Sequence, residues 1–132
     1  MTIKFGYTIV YVENVPTILD FYNRAFGFAT KFLYEPSNDY GELDTGATII
    51  GFASHQLGKM NLPDGYIASN LNKQPLGMEL VLVTDDVEQT FDKAITEGAI
   101  ALQPPIVKPW GQTVAYLRDP AGTLIELCNP MN

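Results

Sequence analysis

The sequence predicts a single domain with an α+β fold, in which a βαβββ unit occurs twice. The order strand, helix, three strands is indicated once in residues 1–53 and again in residues 76–132. Equivalent landmarks recur at separations of 71 to 75 residues, and the pairs are Asn14 with Asp86, Gly27 with Gly98, and Asp44 with Asp119. A nearly constant offset of this kind is typical of a duplicated unit.

The first unit begins with a strand over residues 4–12, which are rich in the Ile, Val, Tyr and Phe that favour pleated structure. A helix follows, because Asn14 can cap its start, Pro16 suits its first turn and Gly27 can end it. Its apolar residues recur at helical spacing: Ile18, Leu19, Tyr22, Ala25 and Phe26. Three short strands are then predicted, over residues 28–35, 40–44 and 47–53, with a tight turn at Thr45 and Gly46.

Residues 54–75 hold Gly, Pro and Asn without sustained periodicity, and they are predicted to form a long connection. The second unit begins with a strand over residues 78–84. Asp86, with Gln89 three residues later, marks the start of a helix that ends at Gly98. The last strands are predicted over residues 100–107, 112–118 and 123–128, the first of them interrupted at Pro104-Pro105 and therefore at an edge or a break of the sheet.

The composition restricts the partners and the compartment. Hydrophobic residues make up 46% of the 132 residues, as in a compact globular protein. The formal net charge of −7, without any cluster of Lys or Arg, argues against a nucleic-acid partner. Cys128 is the single cysteine and cannot form an intramolecular disulfide. Residues 1–11 lack the continuous apolar core of a signal peptide, and no apolar run has the length of a membrane span. We therefore expect a cytoplasmic protein without a membrane partner.

Five segments carry a resemblance to a known family. YVENV at residues 11–15, DFY at 20–22 and AFGF at 25–28 resemble the opening of glyoxalase and bleomycin-resistance-type proteins. PWGQ at 109–112 and LRDPAGTLIEL at 117–127 resemble their ending. The family is the vicinal-oxygen-chelate superfamily, whose other members include dioxygenases. The resemblance implies that each unit forms a curved sheet with a helix, that the sheets surround a cavity, and that dimers commonly complete the site.

Metal-dependent members of that superfamily place ligands on the first and last strand of each unit. Counting from the helix caps puts Tyr7 and Glu79 at the first-strand positions, and the last-strand motif puts Gly51 and Glu126 at the others. Gly51 has no side chain, and a tyrosine must lose a proton before it binds a metal strongly. Glu79 and Glu126 are thus the candidate catalytic residues and, if a divalent metal binds, its ligands. His55 is a possible further ligand, although a lone histidine after a strand is more often a solvated loop residue.

Period-two alternation indicates further candidates for ligand binding. If the seventh strand is regular, one of its faces mixes aromatic with hydrogen-bonding groups, as small-molecule pockets do: Trp110, Gln112, Val114 and Tyr116. The other interpretation is that Trp110 and Tyr116 are core aromatics. Tyr7 and Tyr11 share a face of the first strand, and Cys128 shares one with Glu126. No nearby base or cation is indicated that would make Cys128 a nucleophile.

Three functions remain open from the sequence. The first is a binding protein without metal or other cofactor, whose homodimeric cavity holds a small amphiphilic or aromatic molecule. The second is a metal-dependent lyase, isomerase or dioxygenase of the glyoxalase type that uses Glu79 and Glu126. The third is metal-free acid–base catalysis by one of these glutamates. Gly51 favours the first function, and the two retained carboxylates favour the second.

Overall fold

The computed structural model describes residues 1–131. By their contacts these residues form two compact units, one of Met1–Asn23 with Gly27–Ala68 and one of Arg24–Phe26 with the residues from Ser69 onward. Each unit contains one four-stranded mixed sheet. No described helix has the length and apolar character needed to cross a membrane.

The first sheet has the strand order β1-β4-β3-β2, with β1 parallel to β4 and the other pairs antiparallel. Asn14 caps the first helix by accepting a 3.0 Å hydrogen bond from the Thr17 amide. Gly27 ends that helix in the left-handed region at φ 73°. The elements are β1 (Thr8–Val12), α1 (Val15–Phe26), β2 (Ala29–Leu33), β3 (Tyr40–Asp44), β4 (Ile49–Ser54) and α2 (His55–Asn61).

The second sheet repeats this topology in the order β5-β8-β7-β6, with β5 parallel to β8. Asp86 caps its helix by accepting a 3.0 Å hydrogen bond from the Gln89 amide. The elements are β5 (Glu79–Val83), α3 (Val87–Thr96), β6 (Ile100–Val107), β7 (Thr113–Arg118) and β8 (Leu124–Cys128). The predicted α+β fold of two βαβββ units is confirmed.

Two sequence predictions about local structure need correction. The connection after β4 is not irregular throughout, because α2 occupies His55–Asn61 and Ser54 caps it with a 3.1 Å hydrogen bond from the Leu57 amide. The first strand is shorter than predicted and begins at Thr8, since residues 4–7 have no strand partner. The edge position of the proline-containing strand is correct, because β6 lies at the end of its sheet and its register shifts between Gln103 and Ile106.

Each sheet buries one face beneath its helix. In the first unit Leu43 and Phe52 are fully buried, and the Tyr22 ring of α1 lies 5.3 Å from that of Phe52. In the second unit α3 packs against β6, β7 and β8, and Leu117 and Leu127 are fully buried. Because side chains alternate along a strand, the residues between these positions lie on the opposite side of each sheet, which we call the open face.

Candidate functional site

Cross-strand pairing places the candidate residues in equivalent rows on the two open faces. In the first sheet one row runs across β1, β4, β3 and β2: Ile9, Gly51, Glu42 and Phe32. In the second sheet the corresponding row runs across β5, β8, β7 and β6: Val81, Glu126, Tyr116 and Gln103. Gly51 and Glu126 therefore occupy equivalent positions in the two sheets. Tyr7 and Glu79, two residues before Ile9 and Val81, are equivalent in the same way.

Glu79 and Glu126 form a carboxyl pair on the open face of the second sheet. A hydrogen bond with Glu126, together with partial burial and the charge of Glu126, raises the pKa of Glu79 to about 7. A negative charge on Glu126 disfavours ionisation of Glu79, so Glu79 keeps its proton to a higher pH than an isolated glutamate does. Glu79 can therefore give or accept a proton at physiological pH.

Tyr116 and Cys128 complete the surroundings of this carboxyl pair. Burial, and then the charge and hydrogen bonding of Glu126, raise the pKa of the Tyr116 phenol. The same influences raise the pKa of the Cys128 thiol, which is 4% exposed. A thiol whose pKa is raised is less often ionised at neutral pH, and this weakens any role for Cys128 as a nucleophile.

On the open face of the first sheet, a phenol and a carboxylate lie next to Gly51, which is the equivalent of Glu126. The Tyr40 hydroxyl donates a 2.7 Å hydrogen bond to Glu42 Oε2. Burial raises the pKa of Tyr40, and Glu42 and Tyr7 raise it further through hydrogen bonding and charge. The phenol consequently stays protonated at neutral pH, so it can remain a hydrogen-bond donor.

Tyr40 also fills the space beside Gly51. A Cβ atom added at Gly51 would lie 2.7 Å from the Tyr40 hydroxyl oxygen and 3.3 Å from Cγ1 of Ile9. Contacts below 3.0 Å require a neighbour to move. Position 51 thus has no side chain, and the Tyr40 hydroxyl lies in the space that a side chain there would enter.

These residues do not match the ligand set of a metal-dependent family member. Among residues 1–131 there is no group of three or more His, Cys, Asp or Glu side chains that could hold a metal ion. A catalytic divalent site needs about three protein ligands. The second sheet supplies two carboxyl groups in contact, and the first supplies Tyr7 and a glycine, so we derive no catalytic step through a metal.

Trp110 and Gln112 lie before β7 rather than within it. The Trp110 side chain is 61% exposed, so it is not a core aromatic of the chain. Its Nε1 donates a 3.0 Å hydrogen bond to Oε1 of Gln112, and Nε2 of Gln112 donates to the carbonyl of Asn129 at 2.9 Å. The indole is thereby held at the surface, while Val114 is buried within β7.

His55 and Tyr11 belong to a separate aromatic cluster in the first unit. His55 is not a solvated loop residue, because it begins α2 and its Nδ1 lies 2.7 Å from the Tyr66 hydroxyl. The Tyr66 ring stacks on Tyr11 with centroids 4.8 Å apart, and Asn61 donates a 3.3 Å hydrogen bond to the Tyr11 hydroxyl. One ring nitrogen of His55 is therefore already engaged by Tyr66.

A surface cavity of about 270 Å³ lies elsewhere in the first unit, near the start of α1. Its lining includes Glu13, Asn38, Asp39 and Ser54. The Ser54 hydroxyl donates a 2.7 Å hydrogen bond to Asp39, so part of the polar lining is satisfied within the protein. None of the residues predicted from the sequence to bind a ligand lines this cavity.

Several open-face residues were not predicted from the sequence: Phe32, Tyr40, Glu42 and Gln103. Their positions depend on strand pairing, and the pairing of β2 and of β6 includes register shifts, of which the one in β2 is marked by no residue pattern. Glu42 could have been predicted. The tight turn after Asp44 pairs β3 with β4, and counting residues back along both strands from that turn places Glu42 opposite Gly51.

Comparisons with known proteins agree with this architecture. A structure of a glyoxalase-related enzyme from Fulvimarina pelagi is 16% identical with a TM-score of 0.83, over 98% of this chain and 89% of that chain. A glyoxalase/bleomycin resistance protein/dioxygenase family enzyme from Burkholderia phytofirmans PsJN is 24% identical with a TM-score of 0.75, over 96% and 98%. A member of that superfamily from Sphaerobacter thermophilus is 21% identical with a TM-score of 0.74, over 98% and 100%. At these identities the likeness supports the fold alone.

The paired βαβββ units and their equivalent open-face positions define a protein of the vicinal-oxygen-chelate class. The model of the glyoxalase-like domain matches residues 5–132, and the chain belongs to this family. No curated protein matches the sequence. Because one fold of this kind hosts many chemistries, function has to be argued from the site.

Proposed function

We propose that this protein binds a small aromatic or amphiphilic molecule without a metal, in a cytoplasmic homodimer whose two copies complete the cavity. The observation that carries the proposal is the character of the open faces, where large apolar side chains stay exposed around a few carboxyl groups. The exposed fractions are 48% for Tyr7, 46% for Phe32, 48% for Val81 and 62% for Val83. Exposed large apolar side chains grouped on one face of a sheet are typical of binding surfaces.

The first test uses Trp110, the only tryptophan of the chain, both as a residue proposed to contact the ligand and as the fluorescence reporter of binding. Phenylbutanol, phenylbutylamine and phenylbutyrate share one aromatic body and absorb little where tryptophan emits. At least one of them should shift or quench the Trp110 emission. Trp110→Ala should then weaken binding by roughly 1–3 kcal/mol, since a buried aromatic contact contributes about that much.

Trp110→Phe is the matched variant, because it keeps an aromatic ring and removes the hydrogen bond to Gln112. Calorimetric titration measures affinity in both variants, and the melting temperature is recorded in parallel. We expect Trp110→Phe to retain most of the affinity. A lower melting temperature with unchanged affinity in Trp110→Ala would contradict the assignment of Trp110 to the binding site.

Homodimer formation is a separate expectation. In the part of the chain that the structure describes, β2 and β6 are edge strands with one side unpaired, and Ile100, Ile106 and Val107 on β6 are between 45% and 70% exposed. A symmetric partner can cover such edges and apolar side chains. Sedimentation velocity at micromolar concentration should give the mass of two chains. A single species at the monomer mass would remove the two-copy cavity from the proposal.

Metal-dependent catalysis of the glyoxalase type is the second candidate, favoured by the contact between Glu79 and Glu126. We expect protein purified without an affinity tag to contain no tightly bound transition metal near one equivalent per chain, because the four aligned positions supply only these two convincing donors. Elemental analysis by mass spectrometry is the measurement. A stoichiometric metal that is lost in Glu126→Gln, but kept in the exposed helix variant Glu88→Gln, would favour the enzyme instead.

A further inference from the structure

The open face of the first sheet places one carboxylate among four aromatic rings. We call this group the aromatic patch and define it by Tyr7, Phe32, Tyr34, Tyr40 and Glu42. The Phe32 ring lies 6.4 Å from that of Tyr40 and 6.5 Å from that of Tyr34. These spacings are those of interacting aromatic pairs. The rings of Phe32 and Tyr34 are 46% and 57% exposed, so their surfaces are available to a ligand.

Glu42 is the charged group at the centre of the patch. It lies directly between Gly51 and Phe32 in the cross-strand row, and Gly51 adds no side chain beside it. Glu42 accepts a hydrogen bond from the Tyr40 hydroxyl. Among residues 1–131, no Lys or Arg forms an ion pair with Glu42. A carboxylate oxygen accepts more than one hydrogen bond, so Glu42 keeps capacity for another donor.

We propose that the aromatic patch binds the ammonium group of an aromatic or amphiphilic amine, with Glu42 as its counter-ion and the surrounding rings as cation–π partners. This inference rests on the proposed binding function and names the polar end of its ligand. Carboxylate and aromatic faces together are the chemistry that recognises organic cations. A neutral hydroxyl would gain only a hydrogen bond from Glu42, and an anion would be repelled.

The overall charge supports the same selectivity. With 8 Lys and Arg against 15 Asp and Glu, the chain attracts cations and repels anions over a distance set by the ionic strength. Tyr40 orients the carboxylate of Glu42, because its hydrogen bond holds Glu42 next to the rings of the aromatic patch. A ligand that combines a flat apolar body with a protonated amine would use both the exposed rings and the carboxylate.

The experiment compares phenylbutylamine with phenylbutanol and phenylbutyrate by calorimetric titration at low salt and pH 7. We expect the amine to bind about tenfold more tightly than the alcohol, since a hydrogen bond to a charged group typically contributes that difference, and the anion to bind least. Glu42→Gln should remove most of this preference. Glu88→Gln changes the net charge equally on an exposed helix of the other unit and should leave the preference unchanged.

The ring variants Tyr7→Leu and Phe32→Leu test the patch independently of Glu42. Each should weaken amine binding about twofold to fivefold with less effect on the alcohol, as expected for an exposed cation–π contact. Equal affinity for amine and alcohol, or an amine preference that survives in Glu42→Gln, would overturn the inference while leaving the binding function intact. If none of the three compounds binds, the proposed binding function itself fails, and this inference fails with it.

Discussion

Replacing Arg118 with leucine should lower the free energy of unfolding by about 2–4 kcal/mol, because it leaves several backbone carbonyls without their donor. Arg118 is 5% exposed and donates three hydrogen bonds. Nε donates to the carbonyl of Gly122 at 3.0 Å, Nη1 to that of Lys73 at 2.7 Å and Nη2 to that of Asn70 at 3.0 Å. One side chain thus ties the end of the long connection to the hairpin between β7 and β8.

Urea denaturation followed by circular dichroism measures this loss. Arg118→Lys is the informative companion variant, since a lysine keeps the charge but cannot present the same planar fork of donors. It should recover only part of the stability. Lys93→Leu, on the exposed side of α3, removes one positive charge without touching these carbonyls and should change stability little. A loss of less than about 1 kcal/mol in Arg118→Leu would show that the network is not a major stabilising feature.

Much of the fold was predictable because its signals are local. The Asn14 and Asp86 caps and the glycines after α1 and α3 are read directly from the sequence. Gly27 caps α1 in the left-handed region, and Gly98 follows the Glu97 cap of α3 with a positive φ. Helix α2 was missed because Gly58 lies in its middle, where glycine disfavours a helix. The structure gives a reason for that glycine, since a Cβ atom at this position would collide with the ring and hydroxyl of Tyr66.

The site was predictable only in part, because its geometry depends on strand register. The equivalence of Glu126 with Gly51 followed from the repeat and agrees with the observed pairing. Glu79 and Tyr7 each lie two residues before the strand residues paired with those positions. The contact that raises the pKa of Glu79 could not be read from the sequence, since it requires two side chains on neighbouring strands to meet. The contact between the Tyr40 hydroxyl and position 51 could not be predicted either, because the two residues are distant in sequence and meet only through strand pairing.

Replacing Gly51 with glutamate should destabilise the protein by about 1–3 kcal/mol, the usual cost of inserting a side chain into a packed position. The new Cβ would lie 2.7 Å from the Tyr40 hydroxyl and 3.2 Å from its Cε1. The Tyr40 hydroxyl must therefore shift, and we expect this movement to weaken its hydrogen bond to Glu42. The added carboxylate would also lie directly opposite Glu42 across the strands, and like charges in that position repel.

Gly51→Gln separates the two causes, because it keeps the added volume without the charge. In urea denaturation we expect Gly51→Gln to lose less stability than Gly51→Glu. The double variant Gly51→Gln with Tyr40→Ala should lose about 1–2 kcal/mol less unfolding free energy than the sum of the two single losses. The alanine at position 40 leaves room for the new side chain. If the two losses of unfolding free energy are strictly additive, the Tyr40 side chain does not restrict the space for a side chain at position 51. A favourable coupling would instead establish that the Tyr40 side chain occupies the space that a side chain at position 51 would enter.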